Sequence, residues 1–182
     1  GRRPTDAEVA EEYPSLWGRY KTACINFMDL FCPAPRLLSG DPVLRGWQRS
    51  IDDLVRVDPD DRKIIFVVDS NGNCGKSWLA RYWFGCFTDK IQLLSVGKRD
   101  DLAHAIDPTK SLFVFDIPRG GMEYLQYTVL EQLKNRVVFS PKYDSKVKIL
   151  AETPHVVVFC NEEPDRNKMT ADRYKVCHVR TL

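Results

Sequence analysis

The sequence is poor in the residue pairs that build metal sites. It has six cysteines and three histidines among 182 residues, but no C-x-x-C pair and no His-x-His pair, so we expect no zinc site. Several cysteines lie in apolar runs such as VVVFCN, where free thiols behave as small hydrophobic side chains. A reducing compartment therefore fits the sequence better than a disulfide scaffold does.

Long hydrophobic runs and a strong net charge are also missing. No apolar run approaches the roughly 20 residues that cross a membrane, no signal peptide is visible, and we expect no membrane partner. The formal net charge of +2 excludes a histone-like polybasic protein, so any contact with nucleic acid must depend on particular residues. With 43% hydrophobic and 29% charged residues, the composition is that of a packed globular protein.

Residues 1–60 have a helical pattern. Apolar residues recur at helical spacing from Thr5 to about Phe31, and Pro14 predicts a break within this stretch. A second helix is predicted within residues 41–57. We therefore expect a small helical domain that ends near residue 60.

Residues 61–182 alternate between strand and helix patterns. Helical segments follow the first three apolar runs, which is typical of an α/β fold with a parallel sheet. A lysine-rich turn between two short β-like runs predicts an added hairpin at residues 137–152. The predicted strands, all apolar and rich in β-branched residues, are 64–69, 91–96, 111–116, 156–161 and 175–180.

The segment SNGNCGKS follows the first predicted strand and precedes a helix. This setting is typical of a phosphate-binding loop, in which glycines turn successive N–H groups inward and the helix N-terminus favours anions. Lys76 would then contact phosphates, and the Ser77 hydroxyl would bind Mg²⁺. Ser70 departs from the pattern G-x-x-x-x-G-K-[ST], which has glycine there. The predicted nucleotide-binding residues are Ser70, Asn71, Gly72, Asn73, Cys74, Gly75, Lys76 and Ser77.

Polar residues end two further predicted strands. Asp116 closes FVFD and is predicted to hold Mg²⁺ beside Ser77. Asn161 closes VVVFCN, where its amide is predicted to contact a phosphate or orient the attacking water; an ordinary turn asparagine is the alternative.

The predicted hairpin carries three lysines around an aromatic residue. Lysines that meet phosphates and a ring that stacks on a base suit single-stranded DNA, although a solvated basic turn is the alternative. The candidate DNA-binding residues are Lys142, Tyr143, Lys146 and Lys148.

Five segments together resemble one protein family. VVDSNGNCGKSWLA, SLFVFDIPRG, SPKYDSKVKIL, PHVVVFCNEEP and MTADRYKV resemble motifs A, B, B′, C and the arginine-finger segment of superfamily 3 helicases. They are most similar to the replication-associated (Rep) proteins of circular single-stranded DNA viruses, of the nanovirus or alphasatellite type. The resemblance covers about residues 47–180.

This resemblance implies an AAA+-like ATPase that uses ATP and Mg²⁺. It implies a homo-hexameric ring with single-stranded DNA in its central channel, a 3′–5′ helicase acting in rolling-circle replication, and a location in the host nucleus. Residues 1–60 would serve oligomerisation, and Asn161 would be the sensor. Arg173 would be the finger that enters the next subunit's site, and Lys142 or Lys146 would contact DNA. The family's N-terminal nicking endonuclease domain is not expected in this chain.

One departure from the family leaves the catalytic base open. Ile117 follows Asp116 where many superfamily 3 proteins have a second acid, so the base is Asp116, Glu123 or an oriented water. The alternative functions are a nucleoside or small-molecule kinase, a catalytically weak DNA-binding scaffold, and an RNA helicase.

Overall fold

The computed structural model describes residues 3–32, 37–38, 42–143 and 145–181. The chain divides into two compact units, residues 1–39 and 40–182. The division therefore falls some twenty residues before the boundary predicted near residue 60. No helix in the described ranges is both long enough and apolar enough to cross a membrane.

The first unit contains helices α1 (Asp6–Glu12) and α2 (Pro14–Phe31). Thr5 begins α1 through a capping box, in which Glu8 N–H donates to the Thr5 hydroxyl and the Glu8 carboxylate accepts from Thr5 N–H. Pro14 is the first residue of α2, a position where its missing N–H has no helical partner to lose. The predicted break at Pro14 is confirmed.

Helix α3 (Gly46–Arg56) belongs to the second unit. Its buried residues Trp47, Ile51 and Val55 share one hydrophobic cluster with residues of the helix that follows the first strand. The carboxylate of Asp52 accepts a hydrogen bond of 2.8 Å from the indole N–H of Trp83 in that helix. This packing explains why the boundary lies before α3.

The second unit is built on a parallel sheet, as predicted. The strands are β1 (Ile64–Val68), β2 (Ile91–Leu94), β3 (Leu112–Asp116), β6 (His155–Cys160) and β7 (Tyr174–His178), and a separate hairpin contains β4 (Val137–Ser140) and β5 (Lys146–Ile149). The order of strands in the sheet is β2-β3-β6-β1-β7, and every neighbouring pair is parallel.

Helices cover both faces of this sheet, and two hydrophobic clusters lie between the layers. α3 and α4 (Lys76–Cys86) contribute to one cluster; α5 (Arg99–Ala105) and α6 (Tyr127–Lys134) contribute to the other. β6 lies between β1 and β3. The carboxyl ends of these three strands therefore meet at one edge of the sheet, where ligands bind in open α/β folds.

The hairpin confirms the predicted insertion, but its faces are not those expected from its composition. The apolar side chains Val137, Phe139, Val147 and Ile149 are exposed. On the other face, the register pairs Lys148 with buried Val138, and the Lys148 ammonium donates to the carbonyl oxygen of Ile106 at 2.6 Å. The end of α5 thus holds a lysine that the sequence predicted to contact DNA.

Candidate functional site

A cavity of about 650 Å³ opens at the carboxyl edge of the sheet. It collects most of the predicted site residues from three strand ends: Gly72 to Ser77 after β1, Asp116 at the end of β3, and Asn161 after β6. Ser70 and Asn71 do not line it. The lining consists of residues 72–78 and 116–119 together with Arg81, Ser95 and Asn161.

The loop after β1 needs its two glycines but not a third. Gly72 and Gly75 have φ of +79° and +96°, in the left-handed region that glycine adopts at little cost. A Cβ on Gly72 would also lie 2.7 Å from a guanidinium nitrogen of Arg119. Ser70 is not among the residues with positive φ, so serine is tolerated where the common pattern has glycine.

Several N–H groups of this loop are available to a ligand. Among the described residues, the N–H groups of Asn73 and Gly75 have no acceptor. Lys76 and Ser77 begin α4, and the first N–H groups of any helix lack intrahelical partners. The loop and helix together therefore present consecutive donors, which is the arrangement that binds phosphate oxygens.

Three side chains hold the loop through its carbonyl groups. Gln48 donates to the Gly75 oxygen at 3.1 Å, Arg45 to the Cys74 oxygen at 2.9 Å, and Arg119 to the Asn71 oxygen at 3.1 Å. Sequence reasoning missed all three residues, because none belongs to the loop itself. The loop is therefore fixed in shape before any ligand arrives.

Lys76 is paired with an aspartate that the sequence did not single out. Its ammonium lies 3.1 Å from a carboxylate oxygen of Asp69, and both side chains are buried. Burial opposes ionisation of Asp69, but its hydrogen bonds with Cys74 and Lys76 outweigh burial and lower its pKa to about 2. The signal that could have revealed Asp69 is its place, directly after β1 and before the loop.

This buried pair makes a testable prediction about stability. We expect Asp69→Asn to lower the free energy of unfolding by about 3 kcal/mol at pH 7, because Lys76 would be left buried without a counter-charge. The lowered pKa of Asp69 stabilises the folded chain, and this stabilisation is present in full at pH values above 3.8, the pKa of the unfolded chain. It is lost as pH falls through about 2, the pKa of the folded chain. Urea denaturation should therefore show a smaller difference from wild type at pH 3 than at pH 7.

The matched control for this prediction is Asp89→Asn, which changes an exposed aspartate and should alter stability by less than about 0.5 kcal/mol. An Asp69→Asn variant as stable as wild type at pH 7 would contradict the prediction.

Asp116 and Ser77 are placed where they could share a metal ion. Both line the cavity; Ser77 is exposed and Asp116 is half-buried. Hydroxyl and carboxylate oxygens are the ligands that Mg²⁺ prefers, usually with water and phosphate completing the shell. Ile117 packs into the hydrophobic core at 2% exposure, and Glu123 is exposed and does not line the cavity. Among the candidates for the base, only Asp116 contributes a carboxylate to the cavity lining.

Asn161 ties two of the strand ends together. Its amide nitrogen donates to the Asp69 carbonyl oxygen at 2.7 Å. The same nitrogen would lie 3.5 Å from a Cβ on Gly72. The side chain is therefore held beside the loop, and its contact with a phosphate stays a prediction.

Arg173 does not join the cavity. Its guanidinium is buried and lies 3.0 Å from the Glu131 carboxylate, and it donates to the Asn135 side-chain oxygen at 3.1 Å. It thus faces α6 of its own chain. Its role as an arginine finger stays a prediction, and it would require this ion pair to open.

The predicted DNA-binding residues lie on the hairpin, apart from the cavity. Lys142 pairs with Asp101, and burial lowers the pKa of Lys148, which α5 holds. Tyr143 is 86% exposed and its ring lies 5.1 Å from that of His104. Lys146 is also exposed. Tyr143, Lys142 and Lys146 are thus exposed, whereas Lys148 is half-buried.

The protein side chains alone do not form a metal site in the described ranges. Within those ranges, no three His, Cys, Asp or Glu side chains lie close enough together to hold a metal ion. A metal ion at Ser77 and Asp116 would thus depend on ligand oxygens as well as on the protein.

Comparison with known proteins finds several Para-Rep proteins among the relatives of this chain. No family model matches the chain. The chain is 42% identical over 135 residues to Para-Rep C6 of Subterranean clover stunt C6 alphasatellite. The aligned region covers 73% of this chain and 47% of that protein. The chain is 40% identical over 137 residues to Para-Rep C3 of Milk vetch dwarf C3 alphasatellite, covering 74% and 48%.

The chain spans about half the length of these relatives. Among solved structures, the apo A form of the NrS-1 C-terminal region is similar with a TM-score of 0.48 and 13% identity, covering 82% of this chain and 42% of that one. The predicted resemblance to alphasatellite Rep proteins is confirmed: over about three quarters of its length, this chain is a homologue of the alphasatellite Para-Rep proteins.

Proposed function

We propose that this chain is the ATPase part of a viral replication protein, an AAA+-like P-loop enzyme of superfamily 3. It hydrolyses ATP to move single-stranded DNA during rolling-circle replication in the host nucleus. The observation that carries the proposal is the cavity in which a loop with free N–H groups, Lys76, Ser77, Asp116 and Asn161 converge.

The first step is binding of the triphosphate by the loop. The N–H groups of Asn73 and Gly75 and those at the start of α4 would donate hydrogen bonds to phosphate oxygens. Lys76 would exchange its bond to Asp69 for a bond to phosphate. Asp69 would then remain as a nearby carboxylate that fixes the direction of the ammonium.

Ser77 and Asp116 would hold Mg²⁺ together with the nucleotide. When bound, this ion would neutralise the charge that develops on the phosphate oxygens. Asp116 is also the carboxylate able to orient a water molecule for attack, since Ile117 is buried and Glu123 lies outside the cavity lining. Asn161 would contact the terminal phosphate and relay its presence to β1 through the Asp69 carbonyl.

DNA would bind at the hairpin rather than at the cavity. The exposed ring of Tyr143 could stack on a base, and Lys146 beside it could contact the phosphate backbone. Lys142 and Lys148 support the hairpin through α5 in the state described here.

Assembly into a homo-hexameric ring around the DNA is part of the proposal. The order of the five motifs supports it, as do the exposed apolar side chains of α2. Leu16, Tyr20, Phe27, Leu30 and Phe31 are each at least half exposed, which is more than a helix surface usually leaves to water. An oligomerisation surface in the first unit would cover them.

The experiment that tests this function is ATP hydrolysis with and without single-stranded DNA. We expect turnover by the wild-type chain and stimulation by DNA. The double variant Tyr143→Ala, Lys146→Ala should weaken DNA binding, flatten its dependence on salt, and retain basal hydrolysis. Lys168→Ala removes another exposed lysine and serves as the control.

Two results would separate the alternatives. Phosphate transfer to a nucleoside, with no effect of DNA, would identify a kinase. DNA binding without any ATP turnover would identify a scaffold. Either result would contradict the proposal.

A further inference from the structure

Arg119 differs from those arginines of the described chain that form ion pairs. Arg56, Arg62 and Arg173 each pair with a carboxylate. Arg119 is exposed on the cavity wall and, among the described residues, pairs with none. Its only hydrogen-bond partner in those ranges is a neutral one, the carbonyl oxygen of Asn71 at 3.1 Å.

The turn that carries Arg119 is held at several points. Ile117 N–H donates to the Phe159 oxygen at 2.9 Å, which continues the pairing of β3 with β6. Gly121 N–H closes the turn on the Pro118 oxygen at 2.9 Å, and Gly120 N–H donates to the Glu162 carboxylate at 2.9 Å. The backbone of this turn is therefore fixed before any ligand binds, so the ordering cost for binding is small.

Arg119 and Asn161 lie beside the same residue of the loop, Gly72. A Cβ on Gly72 would be 2.7 Å from a guanidinium nitrogen of Arg119 and 3.5 Å from the amide nitrogen of Asn161. Both groups thus crowd the same point at the start of the loop. Asp116, which lines the same wall, lies only three residues before Arg119 in the sequence.

The charged groups at the cavity differ in whether they are paired. The ammonium of Lys76 is already balanced by Asp69, and Asp116 adds a negative charge to the wall. Arg119 and Arg81 add positive charge to the lining, and among the described residues neither pairs with a carboxylate. Of the two, Arg119 lies beside Asn161 and the start of the loop. Most of its five N–H donors are unused, and their planar fork matches the oxygens of a phosphate.

We propose that Arg119 binds the terminal phosphate of a nucleoside triphosphate in its own subunit, and that it makes the site distinguish triphosphate from diphosphate. The inference rests on the proposed function. On binding, Arg119 exchanges the neutral carbonyl of Asn71 for a charged oxygen, and a hydrogen bond between charged groups is the stronger one. The release of Asn71 also couples the presence of the terminal phosphate to the loop.

The test compares affinities for ADP and for a non-hydrolysable ATP analogue by calorimetry, with Mg²⁺ present. In Arg119→Gln we expect the affinity for the analogue to fall about tenfold or more, with the affinity for ADP changed by less than about twofold. Arg119→Lys keeps the charge but loses the fork, so its loss should be intermediate. Arg49→Gln, at an exposed position of α3 outside the cavity lining, should match wild type for both nucleotides.

The titrations are run at concentrations where the chain sediments as a monomer, so that no neighbouring subunit can supply the contact. Equal losses for both nucleotides, or no loss for the analogue, would overturn the role of Arg119 while leaving the proposed function in place. A wild-type chain that binds neither nucleotide would overturn both. Melting curves of the Gln and Lys variants confirm that each is folded.

Discussion

Lys76→Ala is expected to abolish ATP hydrolysis, with turnover reduced roughly 100-fold or more. The ammonium of Lys76 is the one that the structure buries at the start of α4, where the loop presents its N–H groups. Its removal takes away positive charge where negative charge develops in the transition state. Steady-state release of phosphate measures the effect.

Lys76→Ala also leaves Asp69 without its partner, so a second variant keeps the test independent of folding. Lys76→Arg retains the charge beside Asp69 but changes the shape of the donor group, and it should also lose most of its turnover. Lys90→Ala, which removes an exposed lysine before β2, should hydrolyse ATP at the wild-type rate. Wild-type turnover in Lys76→Ala would show that the loop is not the site of hydrolysis.

Asp116→Asn is expected to reduce turnover to a similar extent, roughly 100-fold, but for a different reason. The amide has the same size as the carboxylate, so the end of β3 should keep its structure. It lacks the negative charge needed to hold Mg²⁺ and to orient water. Binding of a labelled nucleotide should therefore persist while hydrolysis is lost, and the two are measured on the same preparation.

Glu123→Gln separates the remaining candidates for the base. Glu123 is exposed and lies outside the cavity lining, so its variant should retain most of the turnover. If Glu123→Gln lost as much activity as Asp116→Asn, the assignment of Asp116 as the only carboxylate acting at the site would be wrong.

The sequence predicted the framework of the site because its signals are local. Continuous apolar runs identified β1, β3 and β6 as buried strands, and the residues that follow such runs must lie at one edge of a parallel sheet. Asp116 and Asn161 were therefore found without any contact information, and the structure places them with Lys76 in one cavity. Gly72 and Gly75 are also visible in the sequence, because a turn with positive φ favours glycine, and both residues have positive φ in the structure.

Apart from Asp69, the residues of the site that the sequence did not reveal act across long separations. Arg119 and Asn71 are 48 positions apart, and Gln48 and Gly75 are 27 apart. The spacing of apolar residues along a sequence indicates helices and strands, but it does not indicate contacts of this kind. The contacts that join α3 to the second unit are also long-range: the apolar face of α3 is visible in the sequence, but its packing partner in α4 is not.

The hairpin shows where composition misleads. Its lysines have the same character in the sequence, yet the structure gives them different environments. Lys148 lies on the inner face, where the end of α5 offers carbonyl oxygens, and Lys142 pairs with Asp101. The apolar face of the same hairpin is exposed, although apolar side chains usually face the core. Which lysine lies on the inner face therefore follows from the register of β4 and β5 and not from composition.

The most direct test of the central claim is to observe the backbone N–H groups of the loop while nucleotide binds. Amide nuclear magnetic resonance spectra of the chain, titrated with a non-hydrolysable ATP analogue and Mg²⁺, report on each group separately. The account predicts that the largest shifts belong to Asn73, Gly75, Lys76 and Ser77, the donors that have no acceptor or that begin α4. Unchanged signals from these four residues, with saturable shifts elsewhere or with none at all, would contradict it.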